Sequence, residues 1–465
     1  MKNLYTNLPY PTEVHDVVKL FFDGVELCDD PSAELTVVEQ NTESVHLYTA
    51  TYGNVSVSES VDTGGVSDLQ AVRLRKRHAK LATYNLLVKI TGRQMPWGSL
   101  TGIRPTKLAD QLEREGLDWR RTFTDVLGVS DSKTQLVADV LATQGDLHKH
   151  KEGCADLYVG IPFCVTRCSY CSFTSGELER LKKYVDPYVD ALCKDIDATL
   201  AFAKKQGIRI DNVYFGGGTP TSLTAEQLDK IMSHVTVAPV EYTVEAGRPD
   251  TIDKAKLEVF AKHGVHRISI NPQSFNQQVL DAIGRKHTVE DIYEKYALAK
   301  EFGFVVNMDL IAGLPTETYQ MFCHSVDAAI ELDPDNITVH TLALKHGSTL
   351  REQNYASAQD VTKMVEYSHD KLYKAGYLPY YMYRQKFMAD NLENVGFCKK
   401  GKQCLYNVGI MEEISNILAC GTNAISKRIF STENRIERSA NAKDVISYIE
   451  RNDDYLDKKF QLFGK

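Results

Sequence analysis

Three cysteines, Cys164, Cys168 and Cys171, stand at spacing C-x3-C-x2-C in the phrase Cys164-Val165-Thr166-Arg167-Cys168-Ser169-Tyr170-Cys171. Three thiolates on one tight loop can each hold an iron of a [4Fe–4S] cluster, which ordinarily takes four. With three, one iron stays open to a small-molecule ligand. A structural zinc site calls for paired C-x2-C elements and a fourth ligand. Here one C-x2-C is present, and no histidine lies between His150 and His234. A disulfide framework belongs to small secreted domains, and this chain has 465 residues.

Other chemistry-bearing residues follow apolar runs that read as strands. Gly216-Gly217-Gly218-Thr219 is a turn through which a backbone can approach a ligand closely. No Gly-Lys-Ser/Thr follows it, and its spacing is not G-x-G-x-x-G, so neither phosphate-loop fingerprint applies. Glu245 could accept from hydroxyls or an ammonium group, or pair with Arg248. Gln273 offers a donor and an acceptor. Arg285 suits a carboxylate through paired hydrogen bonds. Asp309 ends an apolar strand, where an unpaired carboxylate is costly, so it must face a pocket, a donor or a cation. Tyr158, just before the cysteines, reads equally as a core aromatic or as part of the site.

The elements that must position these residues alternate in type. Strands are expected at Leu157–Ile161, Ile210–Phe215, Glu241–Val244, His266–Ile270, Val305–Ile311 and Asn336–Leu342, with helical patterns between them. Thr224 with Gln227 and Thr288 with Asp291 carry helix-start signals, and Gly303 a stop signal. Repeated strand–helix units imply α/β architecture, a parallel sheet with helices outside. Periodicity alone does not separate a barrel from an open doubly wound sheet; in both, sites gather beyond the C-terminal strand ends. Residues 1–150 have a different texture: strand-like alternation at 34–38 and 44–52, then a helix over 70–90. Residues 385–465 are mixed.

A net charge of -8 disfavours nucleic acid as a partner. The chain has no long apolar run and its opening residues have no apolar signal region, so a cytoplasmic protein without a membrane span is expected. Of the ten cysteines, Cys398 and Cys404 could bind a further metal or be redox-active; incidental thiols are the simpler reading.

The cysteine phrase resembles the cluster motif of radical S-adenosylmethionine enzymes. The wider run Leu157-Tyr158-Val159-Gly160-Ile161-Pro162-Phe163-Cys164 is similar to the coproporphyrinogen dehydrogenase branch of that superfamily, in particular its HemZ-type oxygen-independent coproporphyrinogen III dehydrogenases. The resemblance implies a partial (β/α)6 TIM-like barrel over 151–384, an N-terminal α/β accessory domain over 1–150, and a C-terminal extension over 385–465 covering the substrate side. It implies a [4Fe–4S] cluster on Cys164, Cys168 and Cys171, with S-adenosylmethionine on the open iron. Gly216, Gly217, Gly218, Thr219, Glu245, Gln273, Arg285 and Asp309 would hold that cofactor, and Tyr158 would lie near the catalytic centre. The implied activity is oxidative decarboxylation of coproporphyrinogen III propionates to vinyl groups, started by a 5′-deoxyadenosyl radical. The implied partners are a tetrapyrrole and an electron donor such as flavodoxin or ferredoxin. By the same resemblance, the phrase Leu405–Ile410 is a candidate for the substrate side, and Arg384, Lys386, Lys399, Lys400 and Lys402 for propionate contacts, although solvated lysines are the default reading. Phe173 stands where better-defined members carry a further cysteine. A heme chaperone and a radical heme methyltransferase are neighbouring classes, although the chaperones' His-Asn pair is absent from this sequence.

Overall fold

The structure, a computed structural model, describes all residues except 103, 173, 174, 345, 346, 354, 356–358, 386, 387, 432–434 and 465, so Phe173 and Lys386 lie outside the described residues. It divides into two compact units, Met1–Ala138 with Arg384–Leu392, and Asp139–Tyr383 with Glu393–Lys465. The tail from Glu393 thus shares a unit with the strand–helix repeats.

In the first unit, strands β1 (Asn3–Thr6), β2 (Glu26–Cys28), β3 (Leu35–Thr42), β4 (Val45–Tyr52) and β5 (Val55–Asp62) form a sheet in the order β2-β1-β3-β4-β5. Helices α1 (Pro11–Val18) and α2 (Asp68–Thr91) pack on it around Leu4, Val17, Leu35, Tyr48 and Leu87. A capping box between Ser67 and Gln70 starts α2, and Gly92 in the left-handed conformation ends it. Strand β5 alternates half-buried and exposed residues, the period-two signal of a one-sided strand. In this unit the Arg384 guanidinium lies 4.8 Å from the Trp97 ring centroid and donates to the Leu100 and Asn391 carbonyls, both at 2.9 Å. Buried and committed to these groups, it is a packing element, which corrects its reading as a propionate contact.

The second unit carries the repeats: β6 (Cys154–Ile161), α3 (Val185–Lys205), β7 (Arg209–Gly217), α4 (Ala225–Ser233), β8 (Glu241–Val244), α5 (Lys254–Lys262), β9 (Arg267–Ser269), α6 (Val289–Glu301), β10 (Val305–Ala312), α7 (Tyr319–Glu331) and β11 (Asn336–Thr341). The expected capping boxes are formed at Thr224 and Thr288. Strands β6 to β11 lie side by side in sequence order, all parallel. Right-handed crossovers that always step in one direction keep the helices on one face. The other face becomes the interior of a partial (β/α)6 barrel, the alternative that periodicity had left open.

The sheet extends at both edges. Past β11 come β13 (Asn394–Cys398) and then β12 (Leu378–Tyr383), antiparallel. On the other side β14 (Ile417–Cys420) adds parallel to β6, followed by antiparallel β15 (Ile425–Phe430) and β16 (Arg435–Ala440). The tail is therefore sheet as well as cover. The loop before helix α8 (Leu405–Met411) closes the N-terminal end of the barrel. There Arg267 donates to the Lys402 and Gln403 carbonyls at 3.0 and 3.2 Å, and Glu241 accepts from Leu405 N at 3.0 Å. Lys399 pairs with Asp333, ahead of β11. This lysine segment sits at the end opposite the cysteine loop, which corrects its expected place on the cysteine side. Among the described residues no helix is long and apolar enough to cross a membrane.

The last helix, α9 (Asn452–Phe463), is pinned to α3 by a buried ion pair. Lys459 Nζ lies 2.5 Å from Asp195 Oδ1, with side chains 1% and 2% exposed. Asp195 also accepts from Tyr448 Oη at 2.6 Å and Gly421 N at 3.2 Å. Removing one partner of such a pair strands a buried charge, a cost of about 3–5 kcal/mol. Lys459→Met is expected to lose about that much in urea unfolding, and adding Asp195→Asn should recover part of it. An unchanged midpoint in Lys459→Met would contradict the buried pair.

Candidate functional site

Along β6, Leu157, Val159 and Ile161 are fully buried and alternate with Tyr158. Pro162, which cannot donate to a ladder, follows the last residue of β6, and the cysteine loop leaves from the C-terminal edge of the sheet. The loop is tethered from several directions. Ser169 N donates to Ile283 O at 3.0 Å, Leu350 N to Ser169 O at 3.1 Å, and Cys171 N to Cys168 O at 3.1 Å. Arg248 Nη1 donates to Thr166 Oγ1 at 2.8 Å and to Thr166 O at 3.1 Å.

The glycine run packs directly against this loop. Gly217 has φ +111°, and Gly218 N donates to Ile161 O at 2.7 Å. A Cβ on Gly218 would stand 2.6 Å from Phe163 O and 3.0 Å from Cys164 Sγ. Only glycine permits this approach. Thr219 N donates to Phe163 O at 2.8 Å, and its hydroxyl to Cys164 Sγ at 3.5 Å.

Glu245 follows β8 and is held by a bond from its N–H to Phe215 O at 2.9 Å. Its carboxyl accepts from Tyr214 Oη at 2.5 Å, while Arg248 pairs instead with Asp250 at 2.7 Å. Burial pushes the Glu245 carboxyl up to about 7, against the lowering effect of the Tyr214 hydrogen bond; the Asp309 charge adds to the rise. Tyr214 stacks on Tyr406 at 4.2 Å and on Tyr158 at 6.3 Å, so the tail contributes one ring to the interior. Burial also raises the Tyr158 phenol, and the Glu245 charge raises it further.

Asp309 accepts from Asn307 Nδ2 at 2.8 Å and lies 3.5 Å from His340 Nε2. The other ring nitrogen of His340 is 3.4 Å from Tyr383 Oη. Sequence alone does not single out His340. Its signal is faint: Asn336, Thr338 and His340 form a polar stripe of period two, which marks one face of β11. Gln273, 5% exposed, sits at φ +67°, held by Gln273 N to Asp309 O at 2.9 Å and Ile311 N to Gln273 O at 3.0 Å. A non-glycine residue kept in that region is over-determined by its surroundings, as at functional sites. Arg285 is buried and donates to the Gly247, Asn271 and Tyr170 oxygens at 3.1, 3.0 and 3.3 Å. Its guanidinium thus braces the cysteine loop through Tyr170. Cys398 and Cys404 are free and buried, and burial pushes the Cys398 thiol up to about 12, so both read as packing thiols.

These residues fit a cluster with a small ligand beside it. Gln273 Oε1, Asn271 Oδ1 and Arg285 Nε are buried polar atoms without a hydrogen-bond partner in the structure, and an exogenous polar group would satisfy them. Among the described residues no three ligating side chains converge on a single ion. A cubane instead asks for one thiolate per iron.

Residues 158–329 match the family model described as the Radical SAM superfamily. The chain is 38% identical over 422 residues to the oxygen-independent coproporphyrinogen-III oxidase-like protein HemZ of Bacillus subtilis (strain 168), covering 86% of this chain and 84% of that protein. It is 28% identical over 322 residues to the heme chaperone HemW of Escherichia coli (strain K12), covering 66% and 80%. Among solved structures, the coproporphyrinogen III oxidase HemN from Escherichia coli, a radical SAM enzyme, shares the fold with a TM-score of 0.52. Sequence identity there is 23%, covering 68% of this chain and 72% of that one.

Glu245 yields a pH prediction. Its folded carboxyl keeps a proton up to about pH 7, whereas the unfolded chain releases it near 4.5. The folded state then binds more protons across that window, so this group's contribution to stability is lost as pH rises through it. Glu245→Gln does not titrate. Its stability relative to the parent, by urea unfolding without cofactors, should rise from pH 4.5 to about 7 and then level off; parallel curves would contradict the raised carboxyl.

Proposed function

Because this chain belongs to the radical S-adenosylmethionine superfamily, in the group of HemZ-, HemN- and HemW-like proteins, and therefore takes a [4Fe–4S] cluster and S-adenosylmethionine, we propose that it decarboxylates coproporphyrinogen III propionates oxidatively to vinyl groups without oxygen. The observation that carries this reading is the meeting of Cys164, Gly218 and Thr219 at the strand ends, beside an interior walled by Tyr158, Tyr214, Tyr381 and Tyr383. The HemZ relative supports the substrate, since the likeness extends well beyond the residues of the superfamily model.

Cys164, Cys168 and Cys171 would hold the cluster, which together with S-adenosylmethionine supplies a carbon-centred radical when reduced. Gly216, Gly217 and Gly218 would offer close backbone, and Gln273 its free amide oxygen, to the methionyl end. Arg285 would hold the loop through Tyr170 and turn its unpartnered Nε toward the methionyl carboxylate. Glu245 and Asp309, each already oriented by a protein donor, would accept from the ribose hydroxyls or the ammonium group. Tyr158 would border the substrate, and the stacked rings would keep water from the reacting carbon. An electron carrier of the flavodoxin or ferredoxin kind would supply the reducing electron, and each propionate would give up a hydrogen atom, carbon dioxide and one further electron, which would pass to a separate acceptor.

Anaerobic protein with dithionite, S-adenosylmethionine and coproporphyrinogen III should form 5′-deoxyadenosine and a product lacking two carboxyl groups, read by mass spectrometry. 5′-Deoxyadenosine with an unchanged tetrapyrrole would overturn the substrate. Stoichiometric heme binding without turnover would favour the chaperone class of the HemW relatives, and S-adenosylhomocysteine would favour a methyltransferase. Cys168→Ser should lose both the visible cluster absorbance and 5′-deoxyadenosine formation; turnover retained without the cluster would sink the radical mechanism.

A further inference from the structure

We propose that Arg248, buried and paired with Asp250, turns the positive end of that ion pair to the cysteine loop and raises the reduction potential of the cluster held there, with Thr219 adding a hydrogen bond to one thiolate. The proposal rests on the reading of Cys164, Cys168 and Cys171 as cluster ligands. From sequence alone, Arg248 is no more than a possible partner for Glu245.

Arg248 is 3% exposed and makes a two-pronged contact with Asp250, Nε to Oδ1 at 3.0 Å and Nη2 to Oδ2 at 2.7 Å. Its remaining nitrogen, Nη1, grips both oxygens of Thr166, the middle residue between Cys164 and Cys168. The guanidinium therefore stands between Thr166 of the loop and the carboxylate, and the pair is oriented with its cation toward the loop that carries the thiolates. Adding an electron makes a thiolate-bound cube more negative, so a nearby fixed cation favours the reduced form, and a carboxylate opposes it from farther away. Burial shields the guanidinium from water, whereas the Asp250 side chain is 19% exposed, so the solvent screens the carboxylate more than the cation. Hydrogen bonds to cluster sulfurs act in the same direction as the cation. Thr219 Oγ1 is placed to donate one to Cys164 Sγ at 3.5 Å.

A simple mechanical clamp and an electrostatic device predict different things. If Arg248 only holds the loop, losing either partner loosens it in the same way. If the pair's field acts on the cluster, the two partners must move the potential in opposite directions. Arg248 is thus a positioning residue whose charge has a separate readout.

The test is an anaerobic redox titration of the reconstituted full chain, following the reduced cluster by electron paramagnetic resonance, with iron and sulfide content measured in parallel. Arg248→Gln and Thr219→Val should shift the midpoint to lower potential, Asp250→Asn to higher potential, and Arg248→Lys should fall between Arg248→Gln and the parent. Midpoints unmoved at full iron content, or Arg248→Gln and Asp250→Asn shifting in the same direction, would overturn the proposal. Should Arg248→Gln fail to take up iron, Asp250→Asn decides: a higher midpoint supports the field, and an unchanged one overturns it. A full cluster in Cys168→Ser would count against the ligand reading instead.

Discussion

The end of β7 must lie against the first turn of the cysteine loop with no side chain between them. Gly218 meets the Phe163 carbonyl and Cys164 Sγ at distances that a Cβ would violate, and backbone bonds from Gly218 and Thr219 close the seam. A loop with few internal hydrogen bonds thereby acquires a fixed position relative to the sheet. The other tethers, from Arg248, Ile283 and Leu350, come from segments that follow later strands. Loop order is thus a property of the whole barrel, as preorganised chemistry requires.

The interior follows from the parallel order. Each strand sends alternate residues inward, and on neighbouring strands these positions become Tyr158, Tyr214, Asp309 and His340. Two carboxylates share this space, and their groups are satisfied by phenol, amide and imidazole partners. The Glu245 carboxyl rises under burial and the neighbouring Asp309 charge, which suits a site awaiting polar ligand groups.

The tail serves the barrel in three ways. Strand β14 extends the parallel sheet beside β6; the loop before α8 closes the N-terminal end around Arg267 and Glu241; and α9 is fastened to α3 through Lys459 and Asp195. Lysines that sequence alone makes attractive for an anionic substrate are used at that closed end, pairing with Asp333 and Asp335.

Sequence by itself determined what is encoded locally. The cysteine spacing, the alternation of strand and helix patterns, and the capping boxes at Thr224 and Thr288 depend on residues a few positions apart, whose geometry is set by the 3.6 and 2.0 periods and by backbone donors at helix ends. The tertiary structure decided what depends on distant partners. Consecutive strand order, and with it a barrel instead of a doubly wound sheet, is a matter of which edges pair. Arg248 could equally have met Glu245 until the fold set it against Asp250 and Thr166. His340 gained meaning only when β10 brought Asp309 beside it and β12 brought Tyr383. Such pairings join residues that local periodicity does not connect, because the free energy that selects them comes from burying many long-range contacts at once.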